Sequence, residues 1–197
     1  MSTRRSDARE RVIAAAADML ARHGLNATSI RELARHADAP LGSTYHHFPG
    51  GKQQLVGEAV AAAGSQVSAQ LERALQAGIV AGLGTFLGAW QKILERSSFR
   101  AGCPVLAVAV EEPLGDEDSM LTAVARQAFD DWQNQLAAAL RTEGVDAGRA
   151  AALSTLIVAA VEGAIALCRV ERSAAPLQRV AEQLQALVES AVADAGR

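Results

Sequence analysis

Residues 28–52 read TSIRELARHADAPLGSTYHHFPGGK, and this stretch decides how the rest of the chain is read. Ser29 stands three positions before Glu32, the S-x-x-E spacing in which a hydroxyl and a carboxylate satisfy each other's backbone amides at a helix start. Ile30, Leu33, Ala34 and Ala37 then recur at helical spacing, which predicts a helix over about 30–37. Asp38-Ala39-Pro40 leaves room only for a turn. A second helix of about two turns, Leu41 to Phe48, follows, and Pro49-Gly50-Gly51 ends it.

Working outward, a first helix is expected from about Asp7 to His23, capped by Ser6 or Asp7 and stopped by Gly24. Downstream, the apolar periodicity predicts helices over about 53–76 and 79–97. Cys103-Pro104 opens a short helix to about Glu112, followed by a loop over Pro113–Asp118. Longer helices are expected over about 119–142, over 147–171 with Asp146 as cap, and from Pro176 to about 193. The chain holds 43 alanines and 5 prolines, a balance that favours helix because alanine loses no side-chain entropy. No run alternates apolar and polar with the period of a strand. The fold class is all-α.

Composition excludes several classes. Half of the 197 residues are apolar and the net charge is only −3, so the chain is not disordered. Two cysteines cannot staple a chain of this length. No stretch reaches eighteen consecutive apolar residues, and the charged N-terminus does not read as a signal peptide. The protein is therefore expected to be soluble and cytoplasmic, with no membrane partner. Residues 1–52 carry eight basic side chains against five acidic ones, a net +3, whereas the remainder carries −6. All four histidines fall in the basic part. That asymmetry fits a polyanion partner for this part of the chain, but in 52 residues chance alone often gives it.

The two short helices have the dimensions of a helix-turn-helix, whose second helix lies in the major groove of DNA while the first crosses the backbone. The second helix here is rich in hydroxyl and imidazole groups, which reach phosphates and base edges. Gly42 allows close backbone approach, Lys52 supplies a point charge for a phosphate, and the helix start at Ser29–Ile30 offers amides to another.

At these residues the chain resembles the DNA-binding domain of TetR-family repressors. The likeness is carried by Ala15-Ala16-Ala17, His23-Gly24, Thr28–Ala34 and above all Gly42-Ser43-Thr44-Tyr45-His46-His47-Phe48 with Lys52. Two departures stand out: Thr44 replaces a bulky apolar residue, and the loop before Lys52 is one residue longer than the commonest form. The F-P-G-G-K spelling, with Gly102-Cys103-Pro104, resembles the LmrA/YxaF-like subgroup. The resemblance implies an N-terminal three-helix head over residues 1–52 and a C-terminal helical bundle over 53–197 that binds a ligand and dimerises. By position it implies phosphate contacts for Thr28, Ser29, Tyr45, His47 and Lys52. Gly42, Ser43, Thr44 and His46 would face bases, while Ile30, Leu33, Ala34, Leu41 and Phe48 would be core. The ring of Tyr45 packs against the first helix in an alternative reading, with only its hydroxyl reaching DNA. His47 either touches phosphate or braces the turn, and Arg31 and Arg35 either touch the backbone or are solvated.

In the body, the resemblance places Phe86, Trp90, Phe99, Phe129 and Trp132 on the helices expected to line an apolar ligand pocket, joined by Cys103, Leu106 and Val110. Glu162 is isolated in the apolar run Leu153–Cys168. A buried carboxylate is costly unless partnered, so it either meets a cationic or hydrogen-bonding ligand or pairs with Arg126 or Arg169. Cys103 is either a redox sensor or a helix cap and small filler. Leu156, Ala160, Ala164 and Leu167, with Val180, Leu184, Leu187, Val188 and Ala191, form apolar stripes on the last two helices. Such a pair suits a two-fold four-helix interface or an intrachain core.

There is no G-x-S-x-G, H-E-x-x-H or C-x-x-C. No enzyme activity, cofactor or metal is expected. The reading is a dimeric, ligand-responsive repressor on a palindromic operator, released by a small apolar or aromatic effector. A helical carrier or enzyme whose head no longer binds DNA is the alternative from another class. A constitutive DNA binder with a filled body is a third.

Overall fold

The computed structural model describes residues 2–111 and 118–196. Among them the order is α1 (Ser2–His23), α2 (Ile30–His36), α3 (Leu41–His47), α4 (Gly51–Leu75), α5 (Ile79–Arg96), α6 (Pro104–Val110), α7 (Asp118–Thr142), α8 (Ala147–Glu171) and α9 (Ala175–Ala195). No strand occurs among the described residues. α1 starts upstream of its expected cap, so Ser6 and Asp7 lie within the helix. Glu112 and most of the loop expected over 113–118 lie outside the described residues.

The local start signals act as read. Ser29 Oγ accepts from the Glu32 amide at 3.3 Å while Glu32 Oε2 accepts from the Ser29 amide at 3.0 Å. Asp146 Oδ1 accepts from the amides of Gly148 and Arg149, each at 3.0 Å. Cys103 Sγ accepts from the Leu106 amide at 3.5 Å, with Pro104 in the first turn of α6. A cap needs partners only two or three residues away, so sequence suffices to place it.

Packing divides the chain into two compact units, and not after Lys52. One runs to Ser65 and includes Cys103–Ala128; the other takes Gln66–Gly102 and the chain from Phe129 onward. Two of the three cuts fall inside α4 and α7, and the third lies just before α6. In the first unit, α1 packs on α2, α3 and α6. Val12, Ala16 and Leu20 of α1, Leu33 and Ala34 of α2, Phe48 and the α4 residues Leu55, Val56, Ala59 and Val60 are buried. Ile30 and Leu41 are only partly covered. Arg9 lies over the Phe48 ring, 5.2 Å from its centroid, and pairs with Glu58.

In the second unit α5, α8 and α9 pack on one another. A Cβ on Gly82 would lie 2.6 Å from the Ala74 carbonyl oxygen, so glycine lets α5 meet the end of α4. An 18-residue stretch of α8 has a mean hydropathy of 2.0, and the helix is long and apolar enough to cross a membrane by length and composition. One side of it is core of this unit, through Ile157, Val161, Ala164 and Ile165.

Candidate nucleic-acid interface and ligand cavity

α3 has two clear sides. Thr44 and, just past its end, Phe48 point inward, while Gly42, Ser43, Tyr45 and His46 are exposed. Tyr45 is 50% exposed, so its ring is not buried against α1. His47 is half-covered, its ring edge-on to both His46 and Phe48. The turn before α3 is tight: Asp38 adopts φ 49°, a left-handed conformation that aspartate tolerates. The Ala39 amide reaches back to the Ala34 carbonyl at 2.9 Å. Arg31 and Arg35 are both exposed on α2. Asp18 of α1 accepts from Arg22 Nε at 2.8 Å and lies 3.0 Å from His36 Nε2, tying the end of α2 to α1.

Three expected DNA contacts are used inside the protein instead. Thr44 is 1% exposed and its hydroxyl donates to the Pro40 carbonyl at 3.2 Å. It therefore faces the core rather than bases. The position that carries a bulky apolar residue in the resembled pattern is here filled by a threonine whose hydroxyl is satisfied within its own helix. Thr28 is buried, and its hydroxyl donates to the Leu25 carbonyl at 2.8 Å. Lys52 is partly buried, and its ammonium donates to the same carbonyl at 2.8 Å. Burial pushes the Lys52 pKa below the usual lysine value, with the Glu111 and Glu32 carboxylates pulling it back up. Ser29 is exposed but its hydroxyl donates to Glu32 Oε2 at 2.8 Å, so a carboxylate already occupies the start of α2.

Sequence reasoning missed Glu111. Its carboxylate accepts from the amides of Leu25 and Asn26, each at 2.5 Å. No local pattern marks it, because its partners lie 86 and 85 positions away.

Within the second unit, the helices line a small, partly open cavity. It is lined by Val67 and Leu71 of α4, Phe86 and Trp90 of α5, Trp132 and Leu136 of α7, and Ile157, Val158, Val161 and Glu162 of α8. Its free volume is about 20 Å³, room for about one water. Of the expected lining, Phe86, Trp90, Trp132 and Glu162 meet here. Phe129 stands behind, edge-on to Trp132 with centroids 5.2 Å apart. Phe99 does not line the cavity; it sits after α5 in a left-handed conformation, φ 58°. Cys103, Leu106 and Val110 also do not line it, because they cap or belong to α6 in the first unit.

The expected interface stripe splits in two. Ala164, Leu184, Val188 and Ala191 are buried within the chain and are core. Ala160 and Val180 are half-covered. Leu156, Leu167 and Leu187 are exposed, and Val170 more so. With exposed Ala152, Ala159, Gly163 and Ala166 they leave an apolar, small-residue stripe along α8 beside α9.

The profile described as "Bacterial regulatory proteins, tetR family" matches residues 12–59. That of "Transcriptional regulator LmrA/YxaF-like, C-terminal domain" matches residues 79–183. The chain is 40% identical over 185 residues to an HTH-type transcriptional regulator, Rv0196, of Mycobacterium tuberculosis, covering 91% of this chain and 93% of that protein. It is 30% identical over 188 residues to the HTH-type transcriptional regulator YxaF of Bacillus subtilis, covering 94% and 97%. Among solved structures, regulatory protein TetR from Rhodobacter sphaeroides superposes with a TM-score of 0.81 at 24% identity, covering 90% of this chain and 97% of that one. The helix-turn-helix head and the helical body are thus both matched, and the chain belongs to the TetR family of bacterial transcriptional regulators, in its LmrA/YxaF-like branch, and is not an enzyme.

Proposed function

We propose that this regulator is a cytoplasmic homodimeric repressor that reads a palindromic operator and lets go when a small, largely apolar molecule enters its body. The observation that carries the DNA half is α3: Gly42, Ser43, Tyr45 and His46 stand out to solvent on a helix anchored by Thr44 and Phe48. In this reading Gly42, Ser43 and His46 face base edges, and Tyr45, His47 and Arg31 meet the phosphate backbone, while Ser29 stays engaged by Glu32. Thr28 and Thr44 drop out of the contact set, and Lys52 serves first as a brace.

The cavity between Trp90, Trp132 and Glu162 supports the effector half, since an apolar hollow with one polar group suits a small organic ligand. At about 20 Å³ it must widen to admit one. Opening it would repack α4, which also carries Lys52 at its start. The exposed stripe of Leu156, Leu167 and Leu187 supports pairing through α8 and α9.

Selection from random double-stranded DNA at moderate salt tests the core of this reading. Enrichment of a palindrome supports the dimeric reader and supplies the duplex for effector screening. A folded protein that retains no duplex, at low salt as well, would overturn it. Affinity for an enriched duplex should fall steeply with salt, as counterions are released from each phosphate contacted.

A further inference from the structure

Leu25 joins three elements of the first unit through its backbone. Its carbonyl accepts from Thr28 Oγ1 and Lys52 Nζ, each at 2.8 Å. Its amide donates to Glu111 Oε1 at 2.5 Å, and the next amide, of Asn26, donates to Oε2 at 2.5 Å. Glu111 is the residue that ends α6. The carboxylate comes in over Gly24, where φ is +79° and a Cβ would lie 2.1 Å from Glu111 Oε1. The approach is open only because that residue is glycine. Glu111 is also the carboxylate that acts most strongly on the Lys52 charge. So the turn that leads into α2, and the first turn of α4, are both held to the end of α6, outside the helix-turn-helix segment.

We propose that Glu111 is a positioning residue for DNA binding: its carboxylate holds the turn at Gly24–Asn26, and through Leu25 the Lys52 side chain, in the arrangement from which the helix-turn-helix meets DNA. The inference rests on the DNA-binding reading above. A carboxylate taking two amides is charge-assisted and held at two points, so it orders the turn before DNA arrives. Without it the turn samples other conformations, and DNA must select the competent one, which lowers the apparent affinity by the competent fraction.

The test uses the full chain and the duplex that the wild type enriches from random DNA. Glu111→Gln keeps the size of the side chain but sets an amide donor against a backbone donor. The expected result is a folded protein whose Leu25 and Asn26 amides exchange faster with solvent. Its DNA affinity should drop about tenfold at fixed salt, the worth of one such hydrogen bond. The slope of log affinity against log salt should be unchanged, because no phosphate contact is lost. In a Lys52→Met background the same substitution should cost much less, since both side chains act on the backbone of Leu25. If Glu111→Gln melts below the assay temperature, Glu111→Asp carries the same expectations, since it keeps the charge but withdraws it by one methylene. Affinity within about twofold of wild type, or full additivity with Lys52→Met, overturns the proposal while leaving the DNA-binding reading intact. A wild type that binds no duplex overturns both.

Discussion

The ammonium of Lys52 donates to the carbonyl of Leu25, 27 positions earlier, at 2.8 Å. A lysine that stands where the family resemblance implies a phosphate contact is here turned inward, to the end of the turn after α1. Burial lowers its pKa in the folded state, and in the window between that value and the ordinary one the unfolded chain binds more protons. Its contribution to stability therefore rises with pH across the window. Below it, both states are charged and the burial penalty is present in full. Urea melts of wild type and Lys52→Met at neutral and alkaline pH check the sign: the difference should move in favour of wild type as pH climbs towards the ordinary lysine value. A difference that is flat, or moves the other way, contradicts it.

Thr44 and His46 sit two residues apart and should behave differently. Thr44→Val removes a hydroxyl whose acceptor, the Pro40 carbonyl, keeps its bond from the Thr44 amide at 3.0 Å. The stability change should stay under about 1.5 kcal/mol, with the DNA sequence preference unaltered. His46→Ala, on the exposed side, should leave the melting temperature alone and change the enriched sequence. Repeating the random-DNA selection with each variant decides it, and a changed preference for Thr44→Val would return that residue to the reading surface.

Gly24→Ala combines two penalties. A left-handed φ of +79° is unfavourable for alanine, and the new methyl group meets Glu111 Oε1. The expected cost is about 1–3 kcal/mol by chemical denaturation. Part of it should vanish in Glu111→Ala, where the clash is absent. Equal cost in both backgrounds would mean that the carboxylate does not crowd Gly24.

Leu184 and Leu187 are neighbours on α9 with opposite surroundings, 3% and 45% exposed. Leu184→Ala should destabilise the chain by about 2–5 kcal/mol, as buried leucines do. Leu187→Glu, alone or with Leu156→Glu, should leave the fold intact but shift sedimentation from dimer to monomer. If wild type already sediments as a monomer, the proposed α8–α9 pairing is wrong.

The helices, and their ends apart from the start of α1, were legible in the chain itself. Ser29 with Glu32, Asp146, Cys103-Pro104 and Gly24 act on amides or torsions within a few residues, so their meaning survives without tertiary context. Apolar period likewise set the helical class, and the G-S-T-Y-H-H-F run set the family. Which way a side chain points within a stripe was not legible. Thr44 looks outward-facing by chemistry and is buried by position, while Leu184 and Leu187, read together as one stripe, part into core and exposed surface. Two of the aromatic residues expected in the cavity, Phe99 and Phe129, stand outside its lining for the same reason. What a side chain touches across tens of positions depends on how helices stack, and that is decided by the summed burial of many residues rather than by any one spacing. Glu111 is the clearest instance: nothing near it in sequence hints at a role, and only the packing of α6 on α1 carries its carboxylate to the amides of Leu25 and Asn26.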